Sequence, residues 1–221
     1  MQNAVLFDVD GVLVDSFEPH LRSWLMLAGE NGFSFTREQF IATFGRTSRD
    51  IIAALWPADD LDDEKIRSLD DRKEALYRQI VAANFPAMDG AVELIDALRE
   101  AGFSLAVGSS GPPENVNLAL QRLERADAFG AVVTGSDVTR GKPDPQVYQL
   151  AAEGLKIEPA RCAVLEDAPA GIDAARAAKM TAIGLASTGR TTKELTDAHL
   201  VVTSLRELSA ERIGALIERE R

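Results

Sequence analysis

Hydrophobic residues near the amino terminus are consecutive rather than alternating: Val5-Leu6-Phe7, then Val9, then Val12-Leu13-Val14. A strand with one solvated face would alternate. The stretch Val5 to Phe7 therefore predicts a strand buried on both faces, as in a parallel sheet covered by helices. From about Phe17 to Pro86 the period changes to that of a helix. Leu21, Trp24, Leu25 and Ala28 fall on one predicted face, and Thr36-Arg37-Glu38-Gln39 reads as a capping box ahead of Phe40, Ile41 and Phe44. Ile51, Ile52 and Leu55 make a further helix that stops at Pro57, and Ile66, Leu69, Leu76, Ile80 and Val81 mark a long helix over residues 62–83.

Beyond Pro86 the pattern alternates. Helices are predicted over residues 90–101, 114–123, 145–154 and 170–178, and short apolar strands over 104–108, 131–134, 163–165, 181–185 and 200–202. Strands alternating with helices are the signature of βαβ units. Ser204-Leu205-Arg206-Glu207 reads as the cap of a terminal helix. The expected fold is α/β: a Rossmann-like doubly wound parallel sheet core built from residues 1–14 and 87–221, with an inserted α-helical cap domain over 15–86.

Composition narrows the partners. The chain has 221 residues with 24 basic against 35 acidic side chains, a formal net charge of −11. A field of that sign disfavours nucleic acid and anionic membrane, because phosphate backbones require a basic footprint. A small anionic substrate stays compatible if local cations or a metal offset the charge. The lone Cys162 excludes an internal disulfide and reads as a small buried residue. With no leader pattern and no long apolar run, a cytoplasmic protein is expected, and no protein partner is inferable.

The candidate chemistry sits where predicted strands end. In open α/β sheets ligands bind outside the carboxyl ends of the strands, which is where Asp8 and Asp10 follow the first strand. Their spacing of two lets both carboxylates point to one side, and Gly11 permits a tight turn. Two such carboxylates suit either a shared hard cation or a nucleophile beside a general acid and base. Three later strand ends complement them. Gly108-Ser109-Ser110-Gly111 offers hydroxyls and backbone N–H groups before a helix, a natural anion site. Lys142 lies between Gly141 and Pro143 in a proline-stiffened loop, and Glu166-Asp167 ends an apolar strand in two acids that could join Asp8 in an oxygen shell for Mg²⁺.

Asp8-Val9-Asp10-Gly11-Val12, Ser109, Lys142-Pro143 and Glu166-Asp167 resemble, in order, the four motifs of the haloacid dehalogenase superfamily. The helical insertion resembles its C1-capped members. His20, Trp24, Ser48-Arg49, Arg72-Lys73, Tyr77 and Ala170-Gly171-Ile172 resemble the β-phosphoglucomutase-like group. The resemblance implies that Asp8 is a nucleophile forming an aspartyl-phosphate and Asp10 the general acid and base. It implies that Mg²⁺ is held by Asp8, the Asp10 carbonyl and Asp167 with support from Glu166. Ser109, Ser110 and Lys142 would bind the phosphoryl group, and the cap residues His20, Arg49 and Lys73 the rest of the substrate. The implied activity is hydrolysis of a small phosphorylated metabolite, a sugar or polyol phosphate. A β-phosphoglucomutase-type phosphomutase is the alternative, and a non-catalytic binding protein on the same scaffold the remote one. Asp10 counts against dehalogenation, which usually lacks the second aspartate. Lys65 and Lys73 are the only cap lysines that a phosphonate-hydrolysing Schiff base could use.

Overall fold

The computed structural model describes residues 2–43, 46–56 and 61–221. Phe44, read from the sequence as part of an apolar helix face, and Pro57, read as the stop of the next helix, lie outside the described residues. The chain divides into two compact units, residues 1–15 with 87–221, and residues 16–86.

The first unit is built on six strands: β1 (Ala4–Phe7), β2 (Ser104–Gly108), β3 (Phe129–Val133), β4 (Cys162–Glu166), β5 (Thr181–Leu185) and β6 (Leu200–Val202). All neighbours pair in parallel, in the order β3-β2-β1-β4-β5-β6. The consecutive apolar residues of β1 follow from this placement. The strand is bonded on both edges, to β2 and β4, and all four of its side chains are fully buried. Helices α5 (Ala91–Glu100), α6 (Pro113–Arg122), α7 (Gln146–Leu155), α8 (Pro169–Ala177) and α9 (Ala210–Glu220) complete this unit. Leu6, Ala106, Val164 and Ala182 pack with Val147, Tyr148, Ala151 and Ile172 of α7 and α8 in one apolar core. Burying each large side chain there contributes about 1.5–3 kcal/mol.

The second unit holds α1 (Phe17–Glu30), α2 (Arg37–Thr43), α3 (Ser48–Leu55) and α4 (Asp63–Ala83). Phe17, Leu21, Trp24, Leu27, Phe40, Ile52, Leu69 and Leu76 form its core. The Thr36 box closes as expected: the Gln39 N–H donates to Thr36 Oγ1 at 3.2 Å and the Thr36 N–H to Gln39 Oε1 at 2.8 Å. Asp62 caps α4 by accepting the Lys65 N–H at 2.8 Å.

Several expectations need correction. Leu25 and Ile41 are exposed (42% and 54%) rather than facing the core. On α1 the buried stripe leans toward Leu27, and the seven residues of α2 bury Phe40 alone among the large apolar side chains. The Ser204 box closes a single 3-10 turn, Leu205–Glu207, and α9 has its own cap in Ser209, which accepts the Arg212 N–H at 3.1 Å. Strand β3 starts at Phe129, two residues earlier than its apolar pattern suggests, because Phe129 packs edge-on against Phe7 at 5.9 Å. Among the described residues no helix is long and apolar enough to cross a membrane.

Candidate active site

Chain order and sheet order diverge at β1: the chain proceeds to β2 and β3 on one side, then crosses to β4, β5 and β6 on the other. Such a reversal opens a crevice at the carboxyl ends of the strands. Asp8 follows β1 directly, and its N–H extends the ladder by donating to Leu165 O of β4 at 3.0 Å. Ser109 follows β2 and is pinned in the same way, its N–H donating to Val133 O of β3 at 3.0 Å. Glu166 is the last residue of β4 and Asp167 the next.

Lys142, from the loop between β3 and α7, joins these ends. Its ammonium donates to Asp8 Oδ1 at 2.9 Å, to Gly108 O at 3.2 Å and to Glu166 Oε1 at 2.5 Å. Glu166 Oε1 also accepts the Tyr148 hydroxyl at 2.6 Å, while its Oε2 accepts the N–H groups of Asp167 (3.0 Å) and Ala168 (3.1 Å). All four donors thus converge on one carboxylate, which is engaged on both oxygens. The Tyr148 ring lies 4.9 Å from the Lys142 nitrogen, a cation–π contact from the protein interior.

Two glycines make room for the acids. At Gly11, with φ of +76°, a Cβ would run into the Asp167 carboxylate, and at Gly171 it would run into that of Glu166. Asp10 is half-buried, with its Oδ2 directed toward Gly111 beside Ser109. The Ser109 hydroxyl accepts the Gly111 N–H at 3.0 Å and shapes the turn that carries Ser110.

Asp8, Glu166 and Asp167 each present a carboxylate oxygen within 4.8 Å of the others, and all three residues are buried. The crowding is costly without a cation. Burial, seconded by Glu166 and Asp10, pushes the Asp8 carboxyl up from 3.8 to about 7 against the pull of Lys142. Asp167 is held well above the usual carboxylate range by burial and then by Glu166 and Asp8, with the Arg190 guanidinium opposing. For Lys142 burial disfavours the charge, but Asp8 and Glu166 outweigh it and raise its pKa above the ordinary lysine value. Three buried carboxylates facing a single ammonium form a hard, oxygen-only donor set suited to a divalent cation, so the residues fit a metal site.

Asp8, Asp10, Lys142, Glu166 and Asp167 therefore meet in one place, with Ser109 beside the Asp10 carboxyl, while Ser110 is exposed on the turn that follows. The sequence-derived residues of the second unit have local partners there. Lys73 is buried and contacts His20 Nδ1 at 2.9 Å and Glu74 Oε1 at 2.8 Å; His20 stacks on Tyr77 at 4.1 Å; Arg49 pairs with Asp70 at 3.0 Å. Sequence reasoning missed Tyr148 and Arg190. The signal for Tyr148 was a phenol on the buried face of a helix that starts beside the motif lysine, since a buried tyrosine hydroxyl needs a partner.

A parallel sheet whose carboxyl-end loops gather three carboxylates around one buried lysine defines an α/β enzyme with an acidic, cation-compatible centre. The model of haloacid dehalogenase-like hydrolases matches residues 2–179, and the chain belongs to that family. It is 31% identical over 217 residues to validoxylamine A 7'-phosphate phosphatase of Streptomyces hygroscopicus subsp. limoneus, covering 97% of this chain and 99% of the relative. It is 29% identical to the β-phosphoglucomutase of Bacillus subtilis over 94% of this chain and 92% of that one. Among solved structures, a family IA, variant 3 hydrolase of the same superfamily from Entamoeba histolytica superposes with a TM-score of 0.89 at 27% identity, covering 99% of this chain and 100% of that one.

Proposed function

We propose that this hydrolase is a Mg²⁺-dependent phosphatase of small phosphorylated metabolites, in the class of sugar or polyol phosphates, working through an aspartyl-phosphate. The observation that carries the reading is the Lys142 ammonium, held between Asp8 and Glu166 at the sheet's switch point, where it both orients Asp8 and can meet an incoming phosphoryl oxygen. The similarity to a protein named validoxylamine A 7'-phosphate phosphatase supports a small phosphorylated metabolite as the substrate.

In this reading Asp8 attacks phosphorus and the bond to the substrate oxygen breaks, with Asp10 giving that oxygen a proton. Asp10 then takes a proton from water as the water attacks phosphorus, the bond to Asp8 breaks, and inorganic phosphate leaves. Ser109, the Ser110 backbone and Lys142 hold the transferring group. Asp8 and Asp167, with the Asp10 carbonyl, would hold the metal; Glu166, its carboxylate engaged by four donors, stands behind them. When bound, Mg²⁺ neutralises charge on the phosphoryl oxygens and on the crowded carboxylates. We assign residues 15–86 the role of a substrate-selecting cap, with His20, Arg49 and Lys73 as its contacts.

The test is release of inorganic phosphate from a panel of sugar and polyol phosphates with Mg²⁺, compared between wild type and Asp8→Asn. Turnover that survives in Asp8→Asn rejects the mechanism. The similarity to a β-phosphoglucomutase keeps a second reading open. Conversion of β-glucose 1-phosphate to glucose 6-phosphate with a bisphosphate activator, faster than phosphate release, would favour it.

A further inference from the structure

We propose that Gln146, the first residue of α7, is the positioning residue that sets Lys142 in the site; this rests on the phosphoryl-transfer reading above. Thr139, Arg140 and Gly141, which lead into Lys142, are exposed, and a Cβ added at Gly141 would meet nothing within 4 Å. The protein core therefore does not hold this stretch. Hydrogen bonds do, and they converge on one side chain. Gln146 Oε1 accepts the Thr139 N–H at 3.0 Å, the Thr139 hydroxyl at 3.2 Å and the Arg140 N–H at 3.0 Å.

The same residue is anchored in turn. Its own N–H donates to Asp144 Oδ1 at 3.0 Å, Asp144 pairs with Arg140 Nε at 3.0 Å, and the Asp144 N–H donates to Gly141 O at 3.0 Å. These contacts close residues 139–146 into a brace with Lys142 inside it. The Lys142 side chain, only 9% exposed, must reach three oxygens at the carboxyl ends of β1, β2 and β4, so a small shift of the loop moves the ammonium off Asp8. Gln146 touches none of those oxygens; it acts through Lys142.

Two near-isosteric substitutions separate positioning from general structure. Gln146→Met keeps the length and removes the acceptor. Gln146→Glu keeps an acceptor oxygen. Gln146→Met should lower kcat about tenfold with KM changed less, as expected for a misplaced catalytic group. Gln146→Glu should retain most of the wild-type kcat. Equal impairment of the two variants, an unchanged kcat in Gln146→Met, or a loss that only tracks the folded fraction by circular dichroism would overturn the proposal. A crystal structure of Gln146→Met gives a readout independent of turnover. Lys142 Nζ should leave hydrogen-bonding range of Asp8, and an unmoved Lys142 overturns the inference even if no phosphatase substrate is found. Absence of phosphate release by the wild type counts against the functional reading alone.

Discussion

The Tyr148 hydroxyl and the Lys142 ammonium share one acceptor, Glu166 Oε1, at 2.6 and 2.5 Å. Glu166 is 1% exposed, so its charge is compensated only by the donors that reach it. A hydrogen bond to a buried charged group contributes about 1.5–3 kcal/mol. Tyr148→Phe keeps the ring over Lys142 and deletes that bond alone. It should cost about 2 kcal/mol and lower the melting temperature by roughly 4–8 °C, with a several-fold fall in turnover. A melting curve superimposable on that of the wild type would show that Glu166 does not depend on the phenol.

The sequence pattern exposes most of the frame and the acidic half of the site, for a physical reason. β1 is bonded on both edges and carries four fully buried residues, so its apolar run is uninterrupted and its end at Asp8 is sharp. The same holds for β4 and its end at Glu166-Asp167. Less was legible where a residue's role depends on contacts distant in the chain. Tyr148 has the spacing of a core residue on α7, and only the fold shows its hydroxyl meeting β4 eighteen positions on. Lys73 and His20, which the resemblance implies as substrate contacts, lie 53 positions apart, and only the fold shows them bonded to each other with Lys73 buried and also paired to Glu74. The Ser204 box is genuine chemistry attached to the wrong element, because a cap motif fixes one turn and cannot say whether a helix follows.

Gly11 and Gly141 should differ in their response to alanine. At Gly11 the backbone has φ of +76° and the space for a Cβ is filled by the Asp167 carboxylate. Alanine there is strained by about 1 kcal/mol or more and must also displace Asp167, so Gly11→Ala should lose both thermal stability and turnover. At Gly141 nothing lies within 4 Å, and Gly141→Ala should change the melting temperature little. Parallel melting and turnover measurements on the two variants check the contrast; equal effects would mean that the Asp167 carboxylate can move aside freely.

Asp8 makes metal-free stability depend on pH. Its carboxyl titrates at about 7 in the folded protein against 3.8 as the unperturbed value, chiefly because burial disfavours the charge. The folded state therefore binds the proton more tightly than the unfolded state. The stabilisation that this group contributes is complete below about 3.8 and is lost as pH rises toward about 7. The melting temperature of metal-free protein should fall over that interval from this group's contribution. Asp8→Asn, neutral at every pH, should flatten the slope and raise stability near pH 8 while abolishing turnover. Mg²⁺ should raise the wild-type melting temperature more at pH 8 than at pH 5, because only the ionised carboxylate binds metal. Thermal scans of both proteins with and without chelator test this; an identical pH slope in the two would remove Asp8 as its source.

Asp167 and Asp10 should separate on metal binding. Asp167 belongs to the buried trio whose oxygens lie within 4.8 Å of one another, whereas the Asp10 carboxyl points to the Gly111 turn beside Ser109 and is half-buried. If Asp10 serves the metal through its backbone carbonyl and the substrate through its carboxyl, Asp10→Asn leaves the metal's oxygen set intact. Asp167→Ala removes one of its few carboxylates. Calorimetric titration of Mg²⁺ should show affinity reduced by about tenfold or more in Asp167→Ala and little changed in Asp10→Asn, although turnover is lost in both. The opposite ranking would place the Asp10 carboxylate on the metal, leaving it unable to protonate the departing oxygen and requiring a different acid.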